Sequence, residues 1–400
     1  MKALLFIFTL FTFLAYGFQD KAYGFQDGES KEKDQRYKYL KVFSDTLYLI
    51  EKSYVEEVSA EKLIQGSIKG MIRELDPYSS FLPAQEIKDF KTEVRGRFSG
   101  LGVAIEIKDE WPVVVSVLEN SPADKKKIKS GDILVSINGK KTIGLNQSEV
   151  SKLLTSDRRG KLFNIVIKDS TSKNIRTVQI KSAMVSIPSV SYKGLEDNII
   201  YVRIHRFTDR TLKEIKNIMD KHKKPLGMIL DLRGNFGGVL DAAVQVADLF
   251  IKEGVIVSVK GRIKDYDKVF KAHPINTLMG FPILVLIDSY SASAAEVLAG
   301  ALKENKRAVI LGRTSFGKAS VQSLIHVDKE HAVRLTVAHY YTPLGNSIHE
   351  HGIKPHIELK KTNTQSDEQL EDKKSNLSME KDTDINKAVS FFKMFKHLHL

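Results

Sequence analysis

The stretch from Asp288 to Gln322, DSYSASAAEVLAGALKENKRAVILGRTSFGKASVQ, constrains this chain more than any other. An apolar run from Pro282 to Ile287 enters it as a strand, and a small polar turn follows. Ala294, Val297, Leu298, Ala301 and Leu302 then fall at i, i+3, i+4 spacing, which predicts a helix with one apolar face. A second apolar strand, Ala308 to Leu311, leads to a Gly-flanked loop carrying Lys318. Strand, helix and strand in so short a span belong to an α/β core. Ser291 and Ser293 sit where the helix begins, and the lysine sits on the loop after the next strand.

That placement has chemical consequences. A helix N-terminus offers free backbone N–H groups and the positive end of the helix dipole. Both stabilise negative charge developing on a nearby oxygen. A serine hydroxyl is a weak nucleophile until a base takes its proton. A lysine kept neutral by apolar burial can be that base, and Ser–Lys pairs are a known variant of the serine triad. The plainer reading makes both serines helix caps and Lys318 an exposed cation. The stretch by itself does not choose.

The remaining composition narrows the field. With 400 residues, 42% hydrophobic and 28% charged, the chain is long and apolar enough for several domains and a large core. It has no cysteine, which excludes disulfides, cysteine nucleophiles and thiolate metal sites. The net charge of +13 is spread along the chain without any nucleic-acid-binding signature, so no nucleic acid partner is expected. A basic surface suits an anionic membrane or envelope, although general lysine richness accounts for it as simply. Residues 1–17, MKALLFIFTLFTFLAYG, have one lysine, an apolar run and a small-x-small end, the pattern of a signal peptide. Export to a periplasm or cell envelope is expected, with retention as an N-terminal anchor the alternative. The segment AYGFQD repeats, giving a second cut position after Gly24 besides Gly17.

Residues 28–36 read as a charged linker. A helical segment is expected over 37–92: Leu40, Phe43, Leu47, Ile50 and Tyr54 form one stripe, and Ser59 caps a second helix running to Leu75, where Asp76-Pro77 breaks it. Such a helical pair packs on the body of the protein or pairs with a second copy, a homodimer through terminal helices. Residues 93–183 read as a small β-rich domain. Gly100-Leu101-Gly102-Val103, Ser121-Pro122-Ala123, Gly131-Asp132-Ile133-Leu134-Val135-Ser136-Ile137-Asn138-Gly139 and a short helix over Ser148–Leu154 follow in order. This order resembles a PDZ domain, which implies binding of a polypeptide C-terminus added as a strand to a sheet edge. Gly100 and Gly102 let the backbone approach the terminal carboxylate, and Leu101 and Val103 are expected to line the pocket for the last apolar side chain.

From residue 184 to 360 strands alternate with helices. The strand Gly227–Leu232 ends in Arg233-Gly234-Asn235-Phe236-Gly237-Gly238 before a helix through Leu240 and Phe250. A glycine-rich turn between strand and helix reads as an anion cradle, with a tight packing turn the plainer alternative. Leu324 to Tyr341 reads as a hairpin. His349, His351 and His356 lack a supporting carboxylate or helical spacing, so a turn and short strand are expected there and no metal. The polar stretch 361–384 precedes a final amphipathic helix, Asp384–His397.

Taken together, LDPYSSFL, GLGV, DLRGNFGG, SASAAE and TSFGKASVQ resemble the carboxyl-terminal processing, or tail-specific, protease family over about residues 37–358. The resemblance implies a multidomain α/β protein: a crotonase- or Clp-protease-like α/β core, a PDZ domain and an N-terminal helical segment. It implies a Ser–Lys endopeptidase acting near the C-termini of protein or peptide substrates with apolar ends, with no cofactor. The nucleophile falls on Ser293, the general base on Lys318 and its orienting residue on Gln322, which alternation along a strand puts on the lysine's side. The oxyanion hole falls on the N–H of Ala294 and of Gly237 or Gly238. Phe236, Ala295 and Ala319 depart from the usual proline, serine and glycine without removing a functional group. Thr155-Ser156-Asp157 stands where many members carry an Arg-Gly pair, which leaves open whether the gating that pair implies applies here. Gly312–Ala319 comes one residue short of a phosphate-binding P-loop, but the alternation after Ala319 reads as a strand where a P-loop needs a helix. The remaining rival is a PDZ adaptor on a protease-like core that does not cut.

Overall fold

A computed structural model describes residues 30–155, 159–222, 224–359 and 382–397. The apolar leader over 1–17, the AYGFQD repeat, Ser156-Asp157 and most of the polar stretch before the last helix lie outside the described residues. The chain divides into two units, one holding residues up to Ala84 with Leu324–Leu335, the other Gln85–Ser323 with Thr336–Leu400.

In the first unit, α1 (Ser30–Ser53) and α2 (Ala60–Arg73) precede a short strand, β1 (Ser80–Pro83). Helix α1 begins at Ser30, so the stretch expected to be a linker is largely helical. Ser30 to Arg36 has neither glycine nor proline and is dominated by Lys, Glu and Gln, which lose little freedom in a helix. Ser59 caps α2 as expected, its hydroxyl accepting the Lys62 N–H at 3.4 Å. After α2, Asp76 turns the chain: its carboxylate accepts the N–H groups of Tyr78 and Ser79 at 2.7 and 2.8 Å. The turn delivers β1, which pairs antiparallel with residues 331–334 in the register Ser80↔Arg334 to Pro83↔His331. Four residues are too few to show a period, and β1 has no counterpart in the sequence reading. Along α1, Tyr37, Leu40, Val42, Phe43, Tyr48 and Leu49 are exposed.

Helix α3 (Ala84–Arg95), most of which falls in the segment expected to be helical although the sequence reading has no separate helix after Pro77, leads into the β-rich domain. Its elements are β2 (Arg97–Gly100), β3 (Val103–Lys108), β4 (Trp111–Val117), α4 (Pro122–Lys125), β5 (Ile133–Ile137), β6 (Lys140–Lys141), α5 (Gln147–Leu154), β7 (Leu162–Lys168), β8 (Ile175–Lys181) and β9 (Ala183–Ser186). The sheet runs β3-β4-β5-β7-β8 with β6 beside β5, and β2 pairs with β9. Alternate residues of β7, Phe163, Ile165 and Ile167, are buried with Val114, Ile137 and Val150 in a core of the domain's own.

The larger domain follows: β10 (Val190–Gly194), β11 (Ile199–Ile204), α6 (Thr211–Lys221), β12 (Gly227–Asp231), α7 (Leu240–Phe250), β13 (Val255–Gly261), β14 (Lys268–Lys271), β15 (Ile283–Ile287), α8 (Ala294–Glu304), β16 (Val309–Gly312), β17 (Ser320–His326), β18 (His331–Tyr341), β19 (Ile357–Glu358) and α9 (Thr383–His397). The central sheet has the order β10-β11-β12-β15-β16-β19, parallel from β11 onward with β10 as an antiparallel edge. Strands β12 and β15 are buried at every position, as strands covered on both faces must be. Met228, Leu230, Val285 and Ile287 pack against α7 and α8 on one face. Tyr201, Ile229, Leu284 and Leu286 pack against Ile385, Ala388 and Phe392 of α9 on the other. Gly227 makes room for that helix: a Cβ there would lie 2.3 Å from the Phe392 ring. Strand β17 continues directly from the Lys318 loop, so no helix opens there and the P-loop geometry is absent. The turn after β15 lies against the end of β12 through Ser291, and the loop before β17 reaches that turn through the Phe316 N–H, which donates to the Ser291 carbonyl at 3.0 Å.

Candidate active site

Ser293 is the residue at which the turn after β15 becomes α8. Its backbone has φ +57° and ψ −118°, a region costly for any residue with a side chain. The turn is held by short bonds. Ser291, fully buried, accepts the Asp288 N–H at 3.0 Å and donates its hydroxyl to the Leu232 carbonyl at 2.8 Å, joining the ends of β15 and β12. It is therefore the structural serine of the pair, and Ser293 is the half-buried one left facing the site.

The residue that organises this turn is Glu296, which no sequence reading had given a role. Its buried carboxylate takes four donors. Oε2 accepts the backbone N–H of Ser293 at 2.8 Å and of Lys318 at 2.9 Å. Oε1 accepts the Ser315 hydroxyl and the Gly317 N–H, both at 2.6 Å. Burial pushes the Glu296 carboxyl above its ordinary value, and the four donors pull against that shift. One oxygen thus holds both Ser293 and Lys318 in place. The sequence signal was an acidic residue in the first turn of a helix, which helix-dipole arguments absorb without further meaning.

The glycine cradle closes the other side. A Cβ on Gly237 would lie 2.8 Å from the Ser293 Cβ, 2.9 Å from the Ala292 carbonyl oxygen and 3.2 Å from the Ala294 nitrogen. Only glycine permits this approach to the start of α8. The Gly237 N–H donates to Asn235 Oδ1 at 2.8 Å, and the Gly237 carbonyl accepts the Phe207 N–H at 2.9 Å. Because the peptide is trans, the Gly238 N–H points away from Phe207. Asn235 is completely buried. Its side-chain amide donates to the Ile204 carbonyl at 2.8 Å, and its backbone carbonyl accepts the Ala292 N–H at 2.9 Å. It locks the cradle to the serine turn, a task hidden in the sequence among the glycines around it.

Lys318 is half-buried on the loop between β16 and β17. Its carbonyl accepts the Tyr340 hydroxyl. The Gln322 amide donates to the hydroxyls of Ser320 at 2.8 Å and Thr336 at 3.3 Å.

Beneath the cradle, Arg233 makes a charged clamp. It bonds Asp231 through Nε and Nη2, Asp382 at 2.9 Å and Asp384 at 3.2 Å. Asp384 also accepts from Arg313 at 3.1 Å, and Asp231 accepts the Tyr201 hydroxyl at 2.7 Å. Burial pushes the Asp231 carboxyl up, but Arg233, Arg203 and the Tyr201 hydroxyl outweigh it and hold the group below the usual carboxylate range. The last helix is thereby tied to the residue next to the cradle.

In the β-rich domain the Gly100–Val103 loop is held through its carbonyls. Leu101 accepts the Ala123 N–H and Gly102 accepts the Leu118 N–H, both at 2.9 Å. The Leu101 side chain is only 1% exposed and belongs to the domain core, so the expectation that it lines an open pocket does not fit its position. A Cβ on Gly102 would meet Ser121 at 2.3 Å, where the start of α4 presses against the loop. Val103 is half-buried at the start of β3. Among the described residues no group of three or more His, Asp or Glu could hold a metal ion, and the His356 ring accepts the Ile310 N–H at 2.9 Å.

Comparison with known proteins agrees with this architecture. The family model described as peptidase family S41 matches residues 198–359, a PDZ domain model matches 113–168, and a model described as the activating protease CtpB N-terminal domain matches 8–86. A carboxy-terminal-processing protease of Bartonella bacilliformis is 36% identical over 334 residues, covering 82% of this chain and 76% of that one. The carboxy-terminal processing protease CtpA of Bacillus subtilis is 34% identical over 314 residues, covering 77% of this chain and 66% of that one. Among solved structures, the photosystem II D1 C-terminal processing protease aligns with a TM-score of 0.46 and 26% identity, over 80% of this chain and 92% of that one. Fold and matches together define a serine-type peptidase carrying a PDZ domain. The chain belongs to the carboxy-terminal processing protease family.

Proposed function

We propose that the protein is an exported Ser–Lys endopeptidase that holds a substrate C-terminus on its PDZ domain and cuts a bond nearby. The observation that carries this reading is the convergence of the Ser293 and Lys318 N–H groups on one oxygen of Glu296. Neutral Lys318 accepts the Ser293 hydroxyl proton as Oγ bonds to the substrate carbonyl carbon. The oxyanion is received by the N–H groups of Ala294 and Gly238, since the Gly237 N–H is engaged by Asn235. Lys318 then gives its proton to the leaving amine as the peptide bond breaks. Water hydrolyses the acyl-enzyme by the same proton path. Gln322, on the strand that follows the lysine loop, keeps the base oriented.

Backbone N–H groups of the Gly100–Val103 loop receive the substrate carboxylate, and Val103 contributes to the pocket for its last apolar side chain. The apolar leader supports export to a periplasm or cell envelope, and the +13 charge supports contact with an anionic membrane surface. The exposed apolar side chains of α1 support pairing with a second copy through that helix. Among the described residues no helix is long and apolar enough to cross a membrane.

Ser293→Ala and Lys318→Ala should each abolish cleavage of an unstructured protein with an apolar C-terminus while leaving tail binding intact. Full activity in either purified variant would overturn the assignment. Because the base works only when neutral, the rate should rise with pH, and a rate flat from mildly acidic to alkaline pH would count against Lys318.

A further inference from the structure

Three aromatic side chains stand in the open around this site, one on each loop that carries a part of it. Phe236 directly precedes Gly237 and is 73% exposed; Tyr290, three residues before Ser293, is 55% exposed; Phe316, two before Lys318, is 54% exposed. Phe236 and Tyr290 meet edge to face with ring centroids 6.1 Å apart at 70°. The Phe316 N–H donates to the Ser291 carbonyl at 3.0 Å, fixing the third loop to the turn that carries Tyr290.

Single exposed apolar residues are common and mean little. These differ in being held in place. Asp288 Oδ1 accepts the N–H of Gly234 and of Tyr290, each at 3.0 Å, so one carboxylate pins the backbones of the two loops that present Phe236 and Tyr290. The neighbouring Ser291 hydroxyl bonds the end of β12. Rings presented on fixed backbones lose little freedom when a ligand covers them, which is the condition for a useful binding surface. None of the three is needed for proton transfer or for the oxyanion, which use a lysine and backbone N–H groups. What the rings can offer is apolar area at the edge of the reacting centre.

We propose that Phe236, Tyr290 and Phe316 form an apolar rim that receives the substrate side chains flanking the scissile bond. The enzyme would then select twice: once for the C-terminus, and once for aromatic or branched aliphatic residues beside the bond it cuts. The inference rests on the Ser–Lys reading of the site.

The test uses two peptides with the same apolar C-terminal tail, one with Leu and Phe flanking the bond and one with Ser and Asn. The full-length wild-type protein should favour the apolar peptide by about 10-fold or more in kcat/KM, the scale at which hydrophobic contacts discriminate. Tyr290→Ser and Phe236→Ser should each bring that ratio toward one, and Tyr290→Phe should keep it. Tyr290 lies on an exposed turn, so the Ser and Phe variants at this position decide the matter even if Phe236→Ser fails to fold. Equal rates for the two peptides in the wild type, or an unchanged ratio in Tyr290→Ser, overturn the rim and leave the Ser–Lys reading standing. A wild type that cuts neither peptide overturns both.

Discussion

Glu296 shows how much a single side chain carries here. A carboxylate has only acceptors, and each of its two oxygens faces two donors. Glu296→Gln would turn an NH2 group toward a pair of donors with no change in size. The expected results are a loss of about 1–3 kcal/mol of stability and a fall in kcat of roughly 10²-fold as Ser293 and Lys318 drift apart. Denaturant titration and steady-state kinetics check both, and an unchanged kcat would refute the positioning role. The pH dependence has a definite sign. Burial raises the Glu296 carboxyl, so it takes up a proton at a higher pH than an ordinary glutamate, and activity should fall on the acid side from that higher pH. For stability the sign is the reverse: the folded state binds this proton more readily than the unfolded chain, so the group's contribution is fullest below the unfolded pKa and is lost as pH rises through the raised folded one. That cost is held against folding for the sake of the site. Ser293, Lys318, Gln322 and the glycine pair could be singled out in the sequence because each lies in a short stretch that resembles a family motif, and their proposed roles come from that resemblance. The parts played by Glu296 and Asn235 could not, because each also bonds residues 19 or more positions away, and only the folded chain shows what a buried acceptor is facing.

Among the elements, legibility followed length and period. Strands β11, β12 and β15 and helices α7 and α8 announced themselves as apolar runs or stripes. Strand β1 did not, being too short to show alternation, and α3 was covered only by the helical expectation over 37–92, without bounds of its own. Helix α9 was visible as an amphipathic pattern, but the pattern does not say which surface it covers. In the structure it seals the second face of the central sheet, with Phe392 lying over Gly227 and Asp384 on Arg233 and Arg313. Phe392→Ala should cost about 3–5 kcal/mol by leaving a cavity. Asp384→Asn should cost about 1–3 kcal/mol, because Arg233 keeps Asp231 and Asp382 while the partly exposed Arg313 loses its carboxylate, and it should lower kcat as the cradle beside Arg233 loosens. Chemical denaturation followed by peptidase assays separates the two effects: Phe392→Ala should act mainly on stability and Asp384→Asn on both. A normal denaturation midpoint in Asp384→Asn would show the clamp to be idle.

At the scale of the whole molecule, the PDZ domain and the peptidase domain have separate cores, one around Phe163 and Ile165 and one around the central sheet. The proposed division of labour between them predicts a division in kinetics. A substrate anchored by its C-terminus presents its scissile bond at high local concentration, so amidating that C-terminus should raise KM by about 10²-fold and leave kcat nearly unchanged. Equal KM values for the acid and the amide would mean that the tail is not what the enzyme holds. The Arg233 clamp adds a constraint of another kind, one of timing. Its partners Asp382 and Asp384 lie 149 and 151 residues further along the chain. At a synthesis rate of about 5–20 residues per second, roughly 8–30 seconds separate the appearance of the arginine from that of its carboxylates. Ser293 and Lys318 both emerge within that interval. A growing chain therefore holds Ser293 and Lys318 before it holds the carboxylates that brace the arginine beside the cradle.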